Sequence, residues 1–169
     1  MKFAALTAAV IFGLDQATKL AVVQGMNLIE RGVIEVAPPY LVFRMAWNKG
    51  INFGLFAHDA DYMRWILVAI ALAISVWVWL WIRRDGAQPR AQIAAGLLIG
   101  GAVGNVVDRV VYGAVADFLN TSCCGIDNPY AFNLADISIF AGAIGLILFG
   151  NPPATNAAVK PPRKGRKAP

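Results

Sequence analysis

Apolar residues in this chain gather in long stretches and do not alternate with polar ones. Trp65–Ile82 is eighteen residues without a charge, and Ser75 is its single polar side chain. A run of that length fits a membrane-spanning helix better than an element of a soluble core. The stretches 3–23, 91–110 and 133–149 are also apolar, though polar residues interrupt them. Together with 62–82 they predict an all-α integral membrane protein of four transmembrane helices. Residues 24–61 are too mixed to span. Within them Val33–Val36 and Tyr40–Met45 are β-branched or aromatic and are bounded by glycine and Pro38-Pro39, so they read as short strands. Trp47–Gly54 reads as a glycine-rich turn with apolar side chains suited to a membrane interface. Asn151-Pro152-Pro153 ends the last stretch, and residues 151–169, rich in Pro, Lys and Arg, are expected to be a disordered tail after one membrane domain over 1–150.

Composition supports this reading. At 58% hydrophobic and 15% charged residues, the chain is too apolar for an ordinary soluble domain. The net charge of +5 could suggest nucleic acid, but its distribution argues otherwise. Nine of the fifteen Lys and Arg are Lys2, the trio Arg83, Arg84 and Arg90, and the tail residues Lys160, Arg163, Lys164, Arg166 and Lys167; Asp85 is the one acid in those places. This is the asymmetry of the positive-inside rule, and it places both termini and the 83–90 loop in the cytoplasm. Nucleic acid is not expected as a partner. Cys123 and Cys124 are adjacent, a spacing that rarely makes a disulfide. No Cys-x-x-Cys pair or His cluster offers a zinc site, so no metal is expected. The lone His58 reads as a solvated loop residue.

In an up-down arrangement the first and third helices run outward and the fourth runs inward. Asp15 and Lys19, one turn apart in the favourable order for an ion pair, then lie at the outer end of the first helix. Asn105, Asp108 and Arg109 lie at the outer end of the third, and Asn133 and Asp136 at the start of the fourth. Asp117 falls in the connection between those two. Ionisable groups at membrane depth are costly and mark functional candidates. Gly96, Gly100 and Gly104 recur every four residues and continue to Asp108. The row Gly101, Asn105, Arg109 runs beside them, so small residues and polar groups share an inward stripe. Two carboxylates held close share a proton. The ionised one can activate water while the protonated one polarises a carbonyl, which makes Asp136 with Asp117, or with Asp108, a candidate peptidase pair. Three blander arrangements remain open at this point: a polar clamp between helices, helix capping by Asn133 and Asp136, and an intrahelical Asp15–Lys19 pair that only eases insertion. A small transporter or channel is the main rival class, but the cytoplasmic halves of the spans are nearly bare of polar residues.

Five motifs in order resemble those of the lipoprotein signal peptidases (signal peptidase II): Asp15-Gln16-x-x-Lys19, Asn48-x-Gly50-x-x-Phe53, Gly100-Gly101-Ala102-x-Gly104-Asn105-x-x-Asp108-Arg109, Gly113-x-Val115-x-Asp117-Phe118 and Phe132-Asn133-x-Ala135-Asp136. The resemblance implies catalytic Asp117 and Asp136, supported by Asp15, Lys19, Asn48, Gly50, Asn105, Asp108, Arg109, Asn133 and Ala135. It also implies a small periplasmic β-sheet cradle and a half-helix beside the four helices. The implied activity is an intramembrane aspartyl endopeptidase of the bacterial inner membrane. It needs no cofactor or metal and removes the signal peptide just before the diacylglyceryl-modified cysteine of a prolipoprotein. Membrane lipids and globomycin-type inhibitors are the other implied partners, and a monomer is expected. The sequence departs from the family pattern at Ile51 and Asn52, where small residues are usual, and at Cys123-Cys124-Gly125. The glycines of Asn48–Phe56 suggest a gating loop.

Overall fold

Three of the expected helices form long, apolar rods. In the computed structural model, which describes residues 1–50, 60–84, 87–125 and 127–150, helix α1 spans Lys2–Lys19 and continues as a π-helical turn over Leu20–Gly25. Helix α3 spans Ala60–Arg84 and α4 spans Pro89–Tyr112. Lys2–Gly25, Tyr62–Arg84 and Pro89–Tyr112 are each long and apolar enough to cross a membrane. Helix α5, Leu134–Phe149, has only 16 residues and is shorter than the other three. The four-span count therefore rests on α5, whose length by itself does not establish a crossing.

The elements outside the long helices depart further from expectation. A short helix α2, Leu28–Arg31, follows the π turn, and then come β1 (Val33–Ala37) and β2 (Leu41–Asn48) where strands were expected. A third strand, β3 (Val115–Asn120), falls where the sequence suggested only a connection. The three make one antiparallel sheet in the order β1-β2-β3, with Ala46 opposite Asp117 and Asn48 opposite Val115. Helix α4 ends at Gly113, whose φ of +78° places it in the left-handed region while its N–H closes on the Arg109 carbonyl. Glycine takes that conformation without steric cost. The reversal sends the chain back along β2 and brings Asp117 under the end of α4.

Helix α4 is the axis of the bundle, buried against α1 on one side and α5 on the other. The glycine rows account for this. A Cβ at Gly96 would stand 2.6 Å from Thr7, and one at Gly100 would stand 2.6 Å from the Ala8 carbonyl, so this row faces α1. Gly101 faces the Ala135 carbonyl of α5. Two apolar clusters hold the ends. Val78, Ile82, Ala91, Ala95, Leu98 and Leu146 pack α3, α4 and α5 together. Val22, Val23, Leu28, Ala116 and Phe118 pack the π turn and α2 under the sheet, with Phe43 edge-on to Phe118 at 5.9 Å. Burying a phenylalanine as completely as Phe118 stabilises by about 1.5–3 kcal/mol. Large side chains such as Phe140 and Ile147 remain exposed around the outside of the rods, as lipid-facing residues would be. Residues 51–59, with Ile51, Asn52, His58 and most of the expected gating loop, lie outside the described residues, as does the tail 151–169.

Candidate active site

Between the two apolar clusters lies a buried polar layer built from five elements. Its first half is ionic. Lys19 Nζ lies 2.8 Å from Asp15 Oδ2 and 2.7 Å from Asp108 Oδ2, and it reaches Asn105 Oδ1 at 3.4 Å. The Asp15–Lys19 pair is thus both intrahelical and a bridge to α4. Asp15 Oδ1 accepts the Ala135 backbone N–H at 3.0 Å, and Asp108 Oδ2 accepts that of Ala116 at 3.2 Å. Gln16 Nε2 donates to Asp15 Oδ2 and to Asp108 Oδ1. Asp15, Lys19 and Asp108 are all buried, and a buried charge is tolerated only when paired and hydrogen-bonded in this way. Gln16, quoted in the Asp15-Gln16-x-x-Lys19 motif but not among the supporting residues that the resemblance implies, completes the cluster.

The second half joins two carboxylates. Asn133 Nδ2 donates to Asp117 Oδ1 at 2.6 Å, and the Asn133 backbone N–H donates to Asp136 Oδ2 at 3.2 Å. Asn133 Oδ1 accepts the Asp136 N–H at 2.9 Å, which completes a capping box at the start of α5. Capping and positioning are here the same set of bonds. Asn105 links the two halves: its Oδ1 accepts from Lys19 and from Asn133, and its Nδ2 donates to Asp136 Oδ1 at 2.8 Å. From the sheet, Asn48 Nδ2 donates to Asp117 Oδ2 at 3.0 Å, while the Gly50 N–H holds Asn48 Oδ1 at 2.8 Å. Gly50 has a φ of +94°, which suits glycine. Arg109 bonds the Asn105 carbonyl through Nη1 at 3.3 Å, and its buried Nε has no partner among the described residues.

The expected site residues meet here, Asn48 and Gly50 at the exposed edge of the layer, and the two candidate partners of Asp136 are engaged differently. Asp108 is engaged by Lys19, Gln16 and the Ala116 N–H, and it has no contact with Asp136. Asp117 shares Asn133 with Asp136. Burial and then the charge of Asp136 raise the Asp117 carboxyl to about 6, while hydrogen bonds from Asn48 and Asn133 and the charge of Lys19 oppose the shift. Two cavities adjoin the layer, one reaching Asn105 and Arg109 and the other reaching Asp117. One of about 370 Å³ lies between α3, α4 and α5, with Leu67, Ile70 and Ile74 on one wall and Asn105 and Arg109 at its polar end. The other, also about 370 Å³, lies beside the sheet and is lined by Asn48, Asp117, Tyr130 and Ala131. Among the described residues, no three His, Cys, Asp or Glu gather as metal ligands.

Comparison with known proteins agrees with the motifs. A family model for signal peptidase (SPase) II matches residues 7–150. The lipoprotein signal peptidase of Methylorubrum extorquens (strain PA1) is 42% identical over 144 residues, covering 85% of this chain and 82% of the relative. That of Methylobacterium radiotolerans is 42% identical over 156 residues, covering 92% of this chain and 90% of the relative. Two solved structures, both described as bacterial membrane enzymes obtained by the in meso method, superpose with TM-scores of 0.71 and 0.73 at 30% identity. Each match covers 88% of this chain, with 87% and 92% of the solved chains covered. A polar layer set in a bundle of apolar helices, five motifs in order and relatives aligned over most of their length place this multi-pass membrane protein in the signal peptidase II family.

Proposed function

We propose that the chain is an aspartyl endopeptidase that cuts within or at the surface of the bacterial inner membrane. It removes the signal peptide of a diacylglyceryl-modified prolipoprotein on the N-terminal side of the lipidated cysteine. Asp117 and Asp136 are the catalytic residues. The observation that carries the reading is Asn133, which holds one carboxylate through its side chain and the other through its backbone. Asp136, its oxygens held by Asn105 and Asn133, is the ionised member and takes a proton from the attacking water. Asp117, with its raised affinity for a proton, donates a hydrogen bond to the scissile carbonyl as the tetrahedral centre forms. A carboxyl then delivers a proton to the departing amine, and the pair returns to its singly protonated state. No metal or cofactor takes part. Arg109 Nε, unpartnered among the described residues, suits a substrate carbonyl.

The α3–α4–α5 cavity suits the apolar part of the substrate, and the cavity beside the sheet suits the polypeptide around the scissile bond. Positive-inside charge places the termini in the cytoplasm and the polar layer toward the periplasm. In this reading α5 is a fourth, short span, residues 1–150 are the peptidase domain, the tail 151–169 is a disordered basic extension, and the enzyme acts as a monomer that globomycin-type compounds inhibit.

Purified enzyme in detergent should release the signal peptide from a lipid-modified prolipoprotein, with or without EDTA. Replacement by Asn at position 117 or 136 should cut turnover by about 10²–10⁴-fold without lowering the melting temperature. Normal turnover by both variants would end the aspartyl reading. Loss with Asp108→Asn but not with Asp117→Asn would re-pair the site.

A further inference from the structure

The connection between β3 and α5 carries an adjacent pair of thiols that the peptidase chemistry does not use. Cys123 and Cys124 are both free and exposed. They sit at the tip of a loop whose base is fixed. Asn120, buried at the end of β3, donates its Nδ2 to the carbonyls of Asn128 at 2.7 Å and Tyr130 at 2.8 Å. The Asn128 N–H donates to Ser122 Oγ at 3.0 Å, and the Tyr130 N–H donates to Asn128 Oδ1 at 3.0 Å. The loop therefore closes on itself and runs directly into Tyr130 and Ala131, which form a wall of the cavity that holds Asp117. At the tip, Cys124 has a φ of +58° and Gly125 one of +80°, so the chain turns back over these residues. The turn leaves the Cys123 thiol hydrogen-bonded to Cys124, a contact that pushes the Cys123 thiol up in pKa.

We propose that Cys123 and Cys124 form a thiol–disulfide exchange site whose oxidation state sets the shape of the cleft wall at Tyr130. The oxidant is a small-molecule or protein disulfide, R–S–S–R. A cysteine thiolate attacks one of its sulfurs, which forms a mixed disulfide and releases one thiolate. The neighbouring cysteine then attacks the protein-bound sulfur and releases the second thiolate. Two electrons pass from the protein to the oxidant, and the two cysteine protons end on the two released thiols. The second step is intramolecular between adjacent residues, so it outruns capture of a second oxidant molecule. Neighbouring Cα atoms stand about 3.8 Å apart, closer than the separation that relaxed disulfides span. The product is accordingly strained and easily reduced, as regulatory disulfides are. Because the base of the loop is closed through Asn120, a constraint at the tip is carried to Tyr130, which lines the cleft and hydrogen-bonds neither carboxylate. Oxidation then alters substrate binding and leaves the chemical step alone.

The kinetic part rests on the peptidase reading, while the chemical part is read by mass alone. The full-length protein in detergent is treated with oxidised glutathione, alkylated with a maleimide and weighed intact. Wild type is expected to lose two hydrogens and take no maleimide. Its KM for lipid-modified prolipoprotein should change by about threefold or more with kcat constant, and dithiothreitol should restore it. Cys123→Ser and Cys124→Ser should each retain one glutathione, and the double variant should change in neither mass nor KM. A wild type that carries two glutathiones, or that stays open to maleimide, overturns the proposal, and so does an oxidised form with the KM of the reduced one. Failure of the peptidase reading shows separately, as absence of cleavage by the reduced wild type.

Discussion

At the residue scale the proposed mechanism assigns holding and reacting to different side chains of the polar layer. Lys19 neutralises Asp15 and Asp108 at 2.8 and 2.7 Å and makes no ion pair with Asp136. Lys19→Met should act first on folding, because two buried carboxylates left without their cation cost about 3–5 kcal/mol, seen as a large drop in melting temperature; it should also raise the proton affinity of Asp117, which the Lys19 charge now lowers. Asp117 behaves differently. Its folded-state proton affinity is above that of an exposed carboxyl, at about 6 against 3.8, so ionising it costs folding free energy. Wild-type stability should decline relative to Asp117→Asn as pH rises from about 4 to about 6, and the gap should be level above that. Activity follows the same group: kcat/KM should fall as pH rises through the titration of free Asp117. Asn48 stabilises the ionised form by donating to Oδ2, so Asn48→Ala should move that limb to higher pH. A limb that stays put, or moves down, would remove Asn48 from this role. Parts of this layer were legible in the sequence because they are local. The i, i+4 spacing of Asp15 and Lys19 and the Asn133-x-x-Asp136 capping box are read within one helical turn. The engagement of Asp108 by Lys19 was not, because the partners are far apart in the chain and meet only when α1 packs on α4. Spacing alone left Asp108 and Asp117 equal as partners for Asp136, and the family resemblance chose between them.

At the element scale the decisive contacts are between backbones. The glycine row of α4 was visible as a four-residue repeat, and the structure shows what it admits: α1 on one face and α5 on the next. A Cβ on Gly104 would stand 2.6 Å from Asp15 Oδ2. Gly104→Ala should therefore push Asp15 off Lys19 and cost about 1–3 kcal/mol through overpacking, which thermal unfolding in detergent would measure. Gly13, whose added Cβ meets nothing within 4 Å, is the control: Gly13→Ala should be neutral or slightly stabilising. The strand β3 was hidden for a physical reason. Val115-Ala-Asp-Phe-Leu-Asn is almost wholly buried, so it lacks a two-residue alternation, and it carries Asp117 and Asn120, types depleted in strands. Pairing with β2 and the Gly113 reversal, both set by tertiary structure, override that propensity.

At the scale of the whole molecule, charge and hydropathy predict orientation as well as burial. If the basic ends are cytoplasmic, Cys123 and Cys124 face outward. A membrane-impermeant maleimide should label them in intact spheroplasts, and it should fail to label a cysteine placed at Arg84. The reverse pattern would invert the proposed topology. The overall bundle was legible because spans announce themselves by composition, and the bounds of the last helix were legible with it: the stretch expected over 133–149 is α5, Leu134–Phe149, capped by Asn133. That short helix has a mechanical consequence. Sixteen residues rise about 24 Å, several ångströms less than the roughly 30 Å hydrocarbon layer of a typical bilayer. If α5 crosses, the lipid beside it must thin to meet the helix, which works as a spring drawing the headgroup plane down to Asp136. Membrane thickness then becomes a setting of the enzyme, and turnover in vesicles should rise as acyl chains shorten toward the length of α5.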